Sequence, residues 1–458
     1  MSLNYEAFNQ FAEMAGQLAD MDTPVEMPND QRVANAKRVM MEKMDAPKAA
    51  MLESCIHCGM CAEVCHFYMT QEDGRLTPIR KLDLLKRVYR RELSPLRWMH
   101  RLYTRDVTIE DLEEWQELVY DTCTVCGRCS LICPMGIHIA AMMPIMRNAY
   151  AAAGMVPAEL HLMDSQQDQG HLFGVGQNEF MGLIEQLRGQ GLEIPVDKDK
   201  ADIMILTSVL DIMVSQDSLV AMIKIMNHLG YDWTFRSDGY ECANFGMLSG
   251  DEEVQLKASK RIIDAAIACG AKKVIVAECG HSYPALRYEA PDIWGHALPF
   301  EVLATSEFLG QEVEKGRLKL KKAEGAHSVT FHDPCKNNRW GGVEKEPRAV
   351  LTALGLEIRE PESTGRTNIC CGGGGGAFLI NRAAERRQRV FELKRDQIDA
   401  TGSEALVVTC GSCRLNFEVG KMKSNWGKPI ESLVEMVGDN LDDGSGESTT
   451  RTAQTSTQ

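Results

Sequence analysis

Apolar positions follow two different periodicities along the chain. Before about residue 150 they recur at helical spacing, whereas from Asp202 short β-branched runs alternate with longer helical segments. The second pattern predicts strands at 203–207, 231–235, 273–277, 328–332, 357–359 and 405–409. It predicts helices between them at 218–229, 253–269, 346–356 and 377–400. Strands that alternate with helices in this way are typical of an α/β domain.

Two of the predicted strands end alike. The strings KKVIVAECG and EALVVTCGS each place a Cys-Gly pair, Cys279-Gly280 and Cys410-Gly411, at a strand terminus. The matching order of elements indicates an internal duplication with a period of roughly 110–130 residues. Loops after strand ends are where ligands bind in an open α/β sheet, so the duplication predicts a ligand loop at these pairs.

The patterning divides the chain into six predicted segments. They are an N-terminal helical extension (1–50), a small domain with two cysteine arrays (51–150), a glycine-containing linker (151–201), a first α/β half (202–324), a second α/β half (325–441) and a disordered tail (442–458).

Composition narrows the class of protein. The 458 residues carry 50 basic and 65 acidic side chains, a net charge of −15, which argues against a nucleic-acid partner. The 16 cysteines are clustered, which indicates metal binding rather than a disulfide scaffold. The N-terminus lacks a secretory pattern, and no apolar run is long enough to span a membrane. These features predict a cytoplasmic protein of a reducing compartment.

Two four-cysteine arrays share the spacing C-x2-C-x2-C-x3-C. In two-cluster ferredoxins the first three thiolates of such an array bind one [4Fe-4S] cluster, and the fourth binds the other. The spacing therefore assigns cluster one to Cys55, Cys58, Cys61 and Cys133, and cluster two to Cys123, Cys126, Cys129 and Cys65. Structural zinc is the alternative, but zinc sites pair two CxxC units and do not need this spacing.

Details around the arrays add two expectations. Gly59 and Gly127 follow the second cysteine of each array, where they let the backbone approach a cluster, and His66 stands where the second array has Pro134.

The connector between the arrays, residues 75–105, holds ten basic residues against Asp83 and Glu92. It is interpreted either as a solvated helix face or as a docking surface for an acidic electron-donor subunit or an anionic membrane leaflet.

A third cysteine constellation lies in the second α/β half. It comprises Cys335, the adjacent pair Cys370 and Cys371, which precedes five glycines, and Cys410 with Cys413. A phosphate-binding loop and a disulfide are alternatives, but the glycine run lacks the lysine of a phosphate loop and five thiols fit metal better. No G-x-G-x-x-G follows a strand, which argues against flavin or NAD in this chain.

Two such arrays followed by a C, CCG and C-x2-C pattern resemble the catalytic subunits of heterodisulfide reductases over about residues 52–441. The resemblance implies an α+β fold, with a helical two-[4Fe-4S] ferredoxin-like domain followed by a duplicated α/β CCG domain. It also implies two cubane [4Fe-4S] clusters and one noncubane [4Fe-4S] cluster. The noncubane cluster would be the catalytic site, where a disulfide is cleaved or formed, on Cys335, Cys370, Cys371, Cys410 and Cys413.

The first α/β half departs from this pattern. At the position of the adjacent cysteine pair this half has Cys242-Ala243, and at the position of the C-x2-C it has Cys279-Gly280-His281-Ser282. Val209 occupies the position of Cys335. Only two of the five ligand positions therefore hold a cysteine. The chain is therefore similar to the single-CCG branch, which includes the DsrK subunits of DsrMKJOP complexes and the iron–sulfur subunits of Tmc and Hmc complexes.

That similarity implies a DsrM-like membrane cytochrome b partner, other membrane-complex subunits and a DsrC-like carrier protein as disulfide or trisulfide substrate in dissimilatory sulfur metabolism. It implies attachment to the inner face of the cell membrane through these partners. The alternative is an iron–sulfur electron-transfer subunit of a flavin-dependent 2-hydroxy-acid or glycerol-3-phosphate dehydrogenase, without its own catalysis.

One histidine of the first half is a candidate catalytic residue. If the two halves pack face to face, Cys242, Cys279, His281 and Ser282 line the wall opposite the noncubane cluster. Cleavage of a disulfide releases two thiolates, and His281 is predicted to protonate the one that iron does not hold. The alternative is a buried histidine satisfied by the backbone.

Overall fold

The structure, a computed structural model, describes residues 25–277 and 279–442. The first part of the predicted N-terminal extension and nearly all of the predicted tail lie outside these residues. Residues 29–152 form a helical unit around one apolar core that includes Leu84, Leu112 and Met146. Its α-helices are Asn29–Glu42, Ala46–Glu53, Met60–Glu63, His66–Met69, Asp83–Val88, Arg97–Tyr103, Ile109–Tyr120, Arg128–Ile132 and Ile139–Ala152.

The segment predicted as a linker contains two helices, Ala158–Gln169 and Gln177–Gly189. Leu160 packs in the core of the helical unit, whereas Phe180 and Ile184 pack in the core of the α/β halves. The interpretation of 151–201 as a segment that only wraps between domains was therefore wrong. Its glycines were misleading because several of them, such as Gly170, end helices in the left-handed conformation.

Two four-stranded parallel sheets follow, and they have the same strand order. The first sheet runs β2-β1-β3-β4 and the second β6-β5-β7-β8. Their strands are β1 (Ile203–Ile205), β2 (Trp233–Thr234), β3 (Lys273–Val276), β4 (Glu301–Ala304), β5 (Ser328–Phe331), β6 (Glu357–Ile358), β7 (Ala405–Val408) and β8 (Ile430–Ser432). The predicted α+β class and the duplication are confirmed.

The six predicted strands are present, but β4 and β8 were missed because neither contains a run of the β-branched residues that signal a strand. The helices of the first half are Val209–Met213, Gln216–Leu229, Gly246–Ser249, Glu252–Ala268, Ser282–Pro284, Ala290–Trp294 and Thr305–Glu314. Those of the second are Lys345–Ala353, Ala384–Asp399, Gly411–Ser424 and Leu433–Asp439. The helix predicted to begin at 377 begins seven residues later, because the glycine run and a short 3-10 turn precede it.

The two halves share one hydrophobic core. Apolar side chains of both sheets, among them Ile205 and Leu303 from the first and Phe331 and Val407 from the second, belong to the same buried cluster. The halves are therefore packed against each other, which places the ends of their strands around a common space.

Much of the basic connector is neutralised within the chain. Arg87 and Arg105 both bind the buried carboxylate of Asp111, at 2.7 and 2.6 Å, and Lys81 is buried against the backbone carbonyl of Thr122. The solvated-face interpretation was therefore wrong for Lys81 and Arg87, which are largely buried, whereas the Arg105 side chain stays 66% exposed. Within residues 25–277 and 279–442, no helix is both long and apolar enough to cross a membrane.

Candidate metal centres and the cavity above them

The two cysteine arrays have the same backbone conformation. The residue before the second cysteine is left-handed in both, His57 with φ 55° and Val125 with φ 51°, and so is the glycine after it, Gly59 with φ 80° and Gly127 with φ 83°. A β-branched valine rarely adopts this conformation, and such strain is typical of functional loops. Each loop is thus folded tightly around its thiols.

The last cysteine of each array lies near thiols of the other array. Cys61 lies near the thiols of Cys55, Cys58 and Cys133, and burial followed by these neighbours raises its pKa. Cys65 and Cys129 lie near the thiols of Cys123 and Cys126, and burial is again the main cause of their raised pKa. Four thiols gathered at each site are the donor set of a [4Fe-4S] cluster, and bound metal would replace their protons.

The five cysteines of the second half come together from three loops. Cys371 Sγ lies 3.3 Å from Cys413 Sγ, Cys370 lies beside Cys335 and Cys371, and Cys413 lies beside Cys410. Contacts with the thiols of Cys370 and Cys413 lower the pKa of Cys371, whereas contact with Cys126 is the main cause that raises the pKa of Cys370, and contact with Cys371 raises that of Cys413. All except the half-buried Cys335 are buried.

The glycine run is required by close packing on several sides. A Cβ at Gly372 would lie 2.8 Å from Val390, one at Gly373 2.8 Å from Asn416, and one at Gly375 2.8 Å from the backbone of Thr124. The N–H groups of Gly372 and Gly373 point to Cys370 Sγ and Cys371 Sγ at 3.5 Å. The run therefore brings backbone donors to the thiols, as expected, and also lets the two domains approach each other.

His332 is a site residue that the sequence analysis missed. It is 1% exposed, directly after β5, and neither ring nitrogen makes a hydrogen bond of ordinary geometry. Its ligand atom and those of Cys371 and Cys413 lie within 4.8 Å of one another. Burial lowers its pKa, so the ring is neutral and able to bind metal or donate to a sulfide. Its place at a strand end, three residues before Cys335, was the available signal.

The number and type of possible ligands decide which metal group fits this site. Five thiols and one imidazole exceed the four ligands that zinc takes in proteins. Among the described residues the buried His332 ring has no hydrogen-bond partner of ordinary geometry and only a contact with the Cys371 thiol, so a metal or a sulfide would satisfy it. An iron–sulfur cluster, which takes several thiolates and accepts hydrogen bonds at its sulfides, fits these residues.

The second array adjoins the third site. The Cys126 thiol lies beside that of Cys370, which lowers its pKa, and packs in the same apolar cluster as Cys371 and Cys410. The carbonyl of Cys126 accepts hydrogen bonds from Arg339 Nη1 at 2.8 Å and Trp340 Nε1 at 3.2 Å. Two sites that the sequence separates by more than 200 residues are therefore neighbours.

Arg147 holds the three parts of the chain together at this point, and the sequence analysis assigned it no role. Its guanidinium is 1% exposed and donates to four backbone carbonyls, those of Leu248, Gly375, Val119 and Cys123, at 2.7, 2.7, 3.2 and 2.8 Å. These carbonyls come from the first half, the glycine run and the second array. The positions of all three loops therefore depend on one buried side chain.

A cavity of about 640 Å³ lies over the third site, and its lining is mainly apolar. The five cysteines of the second half line one side, and Cys279, Gly280 and His281 line another. A Cβ at Gly280 would lie 2.9 Å from Cys410 Sγ, so the two duplicated loops touch. The face-to-face arrangement expected of the halves is thus present.

His281 is half-buried and makes two contacts in this wall. Its Nε2 accepts the N–H of Asn244 at 3.3 Å, and its Nδ1 lies 3.4 Å from Cys279 Sγ. The ring therefore has a backbone hydrogen-bond partner, as expected of a structural histidine, and it also lines the cavity. Its role as a proton donor stays a prediction.

Comparison with known proteins agrees with this site. A family model described as a 4Fe-4S dicluster domain matches residues 51–137, and one described as a cysteine-rich domain, CCG, matches residues 329–418. The fold and the thiol sites define an iron–sulfur oxidoreductase.

The chain is 25% identical to the HdrD component of the dihydromethanophenazine:CoB–CoM heterodisulfide reductase of Methanosarcina mazei, over 87% of this chain and 96% of that one. It is 25% identical to Hdr-like menaquinol oxidoreductase iron-sulfur subunit 2 of Archaeoglobus fulgidus, over 85% and 80%. It is 27% identical to EtfAB:quinone oxidoreductase of Syntrophomonas wolfei, over 79% and 54%. Over most of its length the chain is thus similar to subunits of heterodisulfide reductases and of Hdr-like oxidoreductases.

A solved structure of a hypothetical protein from Helicobacter pylori has a similar fold. It superposes with a TM-score of 0.50 at 10% identity and covers 90% of this chain and 76% of its own.

Proposed function

We propose that this chain relays electrons through two cubane [4Fe-4S] clusters to a noncubane [4Fe-4S] cluster in the second half, where a disulfide or trisulfide is reduced or formed. The contact between Cys126 and Cys370 carries this proposal, because it joins the electron-transfer domain directly to the thiols below the cavity. Cys55, Cys58, Cys61 and Cys133 would hold one cubane, and Cys123, Cys126, Cys129 and Cys65 the other.

The noncubane cluster, when bound by Cys335, Cys370, Cys371, Cys410 and Cys413, supplies single electrons to a sulfur–sulfur bond. The protein contributes a cavity with mainly apolar walls, which excludes water from the reacting sulfurs. His281 Nδ1, which faces the cavity wall, is placed to carry the proton for a released thiolate.

The proposed partners follow from the relatives and from the surface. Relatives are named as reductases of a heterodisulfide and as oxidoreductases of menaquinol, which supports electron exchange with a membrane cytochrome b subunit. Trp98, Leu102 and Tyr103 are 67%, 76% and 66% exposed beside Arg97 and Arg101, and this supports peripheral attachment to such a complex at the inner membrane face. A DsrC-like carrier protein is the proposed substrate, as for a DsrK-type subunit.

A pure electron-transfer role is the second proposal, and the relative named EtfAB:quinone oxidoreductase favours it. Electron paramagnetic resonance of the oxidised holoprotein, with and without a small thiol, separates the two. A new thiol-dependent signal that is lost in Cys371→Ser and kept in Cys269→Ser supports disulfide chemistry here. Unchanged spectra with a full complement of clusters would leave the chain as an electron relay.

A further inference from the structure

The first α/β half holds three thiols that no cluster assignment uses, and two of them, Cys242 and Cys279, stand at the duplicated positions of cluster ligands. Cys242 and Cys279 are 2% and 4% exposed and lie side by side in one apolar cluster. Cys279 lines the cavity over the third site, whereas Cys242 is not among the residues that line it. One thiol is therefore reachable by a ligand in the cavity, and the other is reachable mainly through the first.

The surroundings of Cys279 favour its thiolate. Ser282 Oγ donates to Cys279 Sγ at 2.9 Å, and His281 Nδ1 lies 3.4 Å from the same sulfur. Because His281 Nε2 accepts a backbone N–H, the ring proton is assigned to Nδ1, from which it is donated to the sulfur. The hydrogen bond from the Cys242 thiol lowers the pKa of Cys279, whereas burial raises the pKa of Cys242. This asymmetry is that of an attacking and a resolving thiol.

Cys269, the third cysteine of this half, is buried in the same apolar cluster but is not among the residues that line the cavity. Cys269 ends the Glu252–Ala268 helix, and its Sγ donates to the carbonyl of Ala266 at 3.5 Å. Its surroundings are those of a structural cysteine, and it serves as the matched control.

We propose that Cys279 and Cys242 form a redox-active dithiol that exchanges with a disulfide bound in the cavity. The inference rests on the proposed function, because it takes the substrate in the cavity to be a disulfide. Gly280 supports it, because the loop that carries Cys279 is in contact with Cys410 and so connects the dithiol to the third site.

The exchange balances in three steps. The Cys279 thiolate attacks one sulfur of the substrate disulfide, the substrate S–S bond breaks, and the leaving thiolate takes a proton. The Cys242 thiol loses its proton and attacks Cys279 Sγ, which forms the Cys242–Cys279 disulfide and releases the second substrate thiol. Two electrons from a one-electron reductant acting through the chain's iron–sulfur clusters, and two protons, restore the dithiol.

Trapping of the intermediates tests the proposal. The anaerobic holoprotein is incubated with bis(2-hydroxyethyl) disulfide, its free thiols are alkylated, and its peptides are analysed by mass spectrometry. Wild type and Cys269→Ser should yield a linked Cys242–Cys279 peptide. Cys242→Ser, with unchanged iron content, should instead retain the hydroxyethyl adduct on Cys279. Absence of both the linked peptide and the adduct would overturn the proposal.

Turnover separates failure of this inference from failure of the proposed function. Dithionite should return the linked pair to the dithiol in wild type but not in Cys370→Ser, whose exchange with the disulfide should persist. Cys242→Ser and Cys279→Ser should each lose roughly tenfold or more in disulfide turnover. Wild-type turnover in both variants would overturn the dithiol and leave the proposed function intact. Exchange without any turnover in wild type would overturn the proposed function and leave the dithiol intact.

Discussion

The two α/β halves have the same sheet but different strand ends. In the second half, the loops after β5 and β7 carry Cys335, Cys410 and Cys413, whereas the equivalent loops of the first carry Val209, Cys279 and Ser282. Strand order and core packing are unaffected by this difference. The comparison teaches that the scaffold depends on the apolar pattern of the strands, and that a few loop residues decide the chemistry.

Buried carboxylates show the same contrast. Asp333 in the second half is buried and binds Arg348 through both carboxylate oxygens at 2.9 Å. Burial acts to raise the pKa of Asp333, but the Arg348 guanidinium outweighs it and holds this pKa below its usual value. Glu241 in the first half has no cation among its hydrogen-bond partners described here, and burial raises its pKa to about 8. The carboxylate of Asp333 is thus compensated by a cation, whereas the partly buried carboxylate of Glu241 lies beside the thiol of Cys279.

The largest expected difference follows removal of equivalent cysteines. Cys370→Ser should lose about four of roughly twelve irons and the noncubane signal, because it removes a ligand. Cys242→Ser, at the duplicated position, should keep all of the iron. Iron and sulfide analysis with electron paramagnetic resonance measures both. Equal iron content in the two variants would contradict the assignment of the third cluster to the second half.

Loss of the cation in the second half should strongly destabilise the fold. Arg348→Met leaves the 0% exposed Asp333 without its charged partner, and we expect a loss of about 3–5 kcal/mol in the free energy of unfolding. Arg359→Met removes a solvent-exposed ion pair with Glu357 and should cost less than about 1 kcal/mol. Denaturant titration measures both, and similar values for the two variants would show that Asp333 is not held by Arg348.

A methyl group at the contact between the halves should have an intermediate effect. In Gly280→Ala the new Cβ would lie 2.9 Å from Cys410 Sγ, so Cys410 or the loop must move. We expect a cost of about 1–3 kcal/mol and reduced iron at the third site. Gly182→Ala, in a helix with open space around it, is the control and should keep full iron. Full occupancy in Gly280→Ala would mean that the contact is not tight.

The smallest expected effect is a pH dependence confined to the first half. Because the folded-state pKa of Glu241 is raised to about 8 from 4.5, the folded state binds this proton more tightly than the unfolded state. Its contribution to stability is present below about pH 4.5 and is lost as the pH rises to about 8. Glu241→Gln should therefore be more stable than wild type by about 1–2 kcal/mol at pH 8.5 and equal to it at pH 4.5. Parallel unfolding curves across this range would show that Glu241 does not titrate as stated.

The sequence alone was sufficient for the features that depend on local spacing. The two arrays and six of the eight strands rest on residues close together in the chain, and the five-cysteine constellation and the duplication were recognised from short strings that repeat or resemble a known pattern. The helices at 158–169 and 177–189 were missed, because their capping glycines outweighed their apolar faces.

Only the tertiary structure decided what lies around those thiols. The contact of Cys126 with Cys370, the unpaired ring of His332, the four carbonyls on Arg147 and the thiol pair behind the cavity all join residues from distant elements. Such contacts have no periodicity in the chain, because the packing of the two halves on the helical unit brings them together. The spacing of the cysteines therefore predicted two cubane sites, and packing decided which groups of thiols are neighbours and which residues face the cavity.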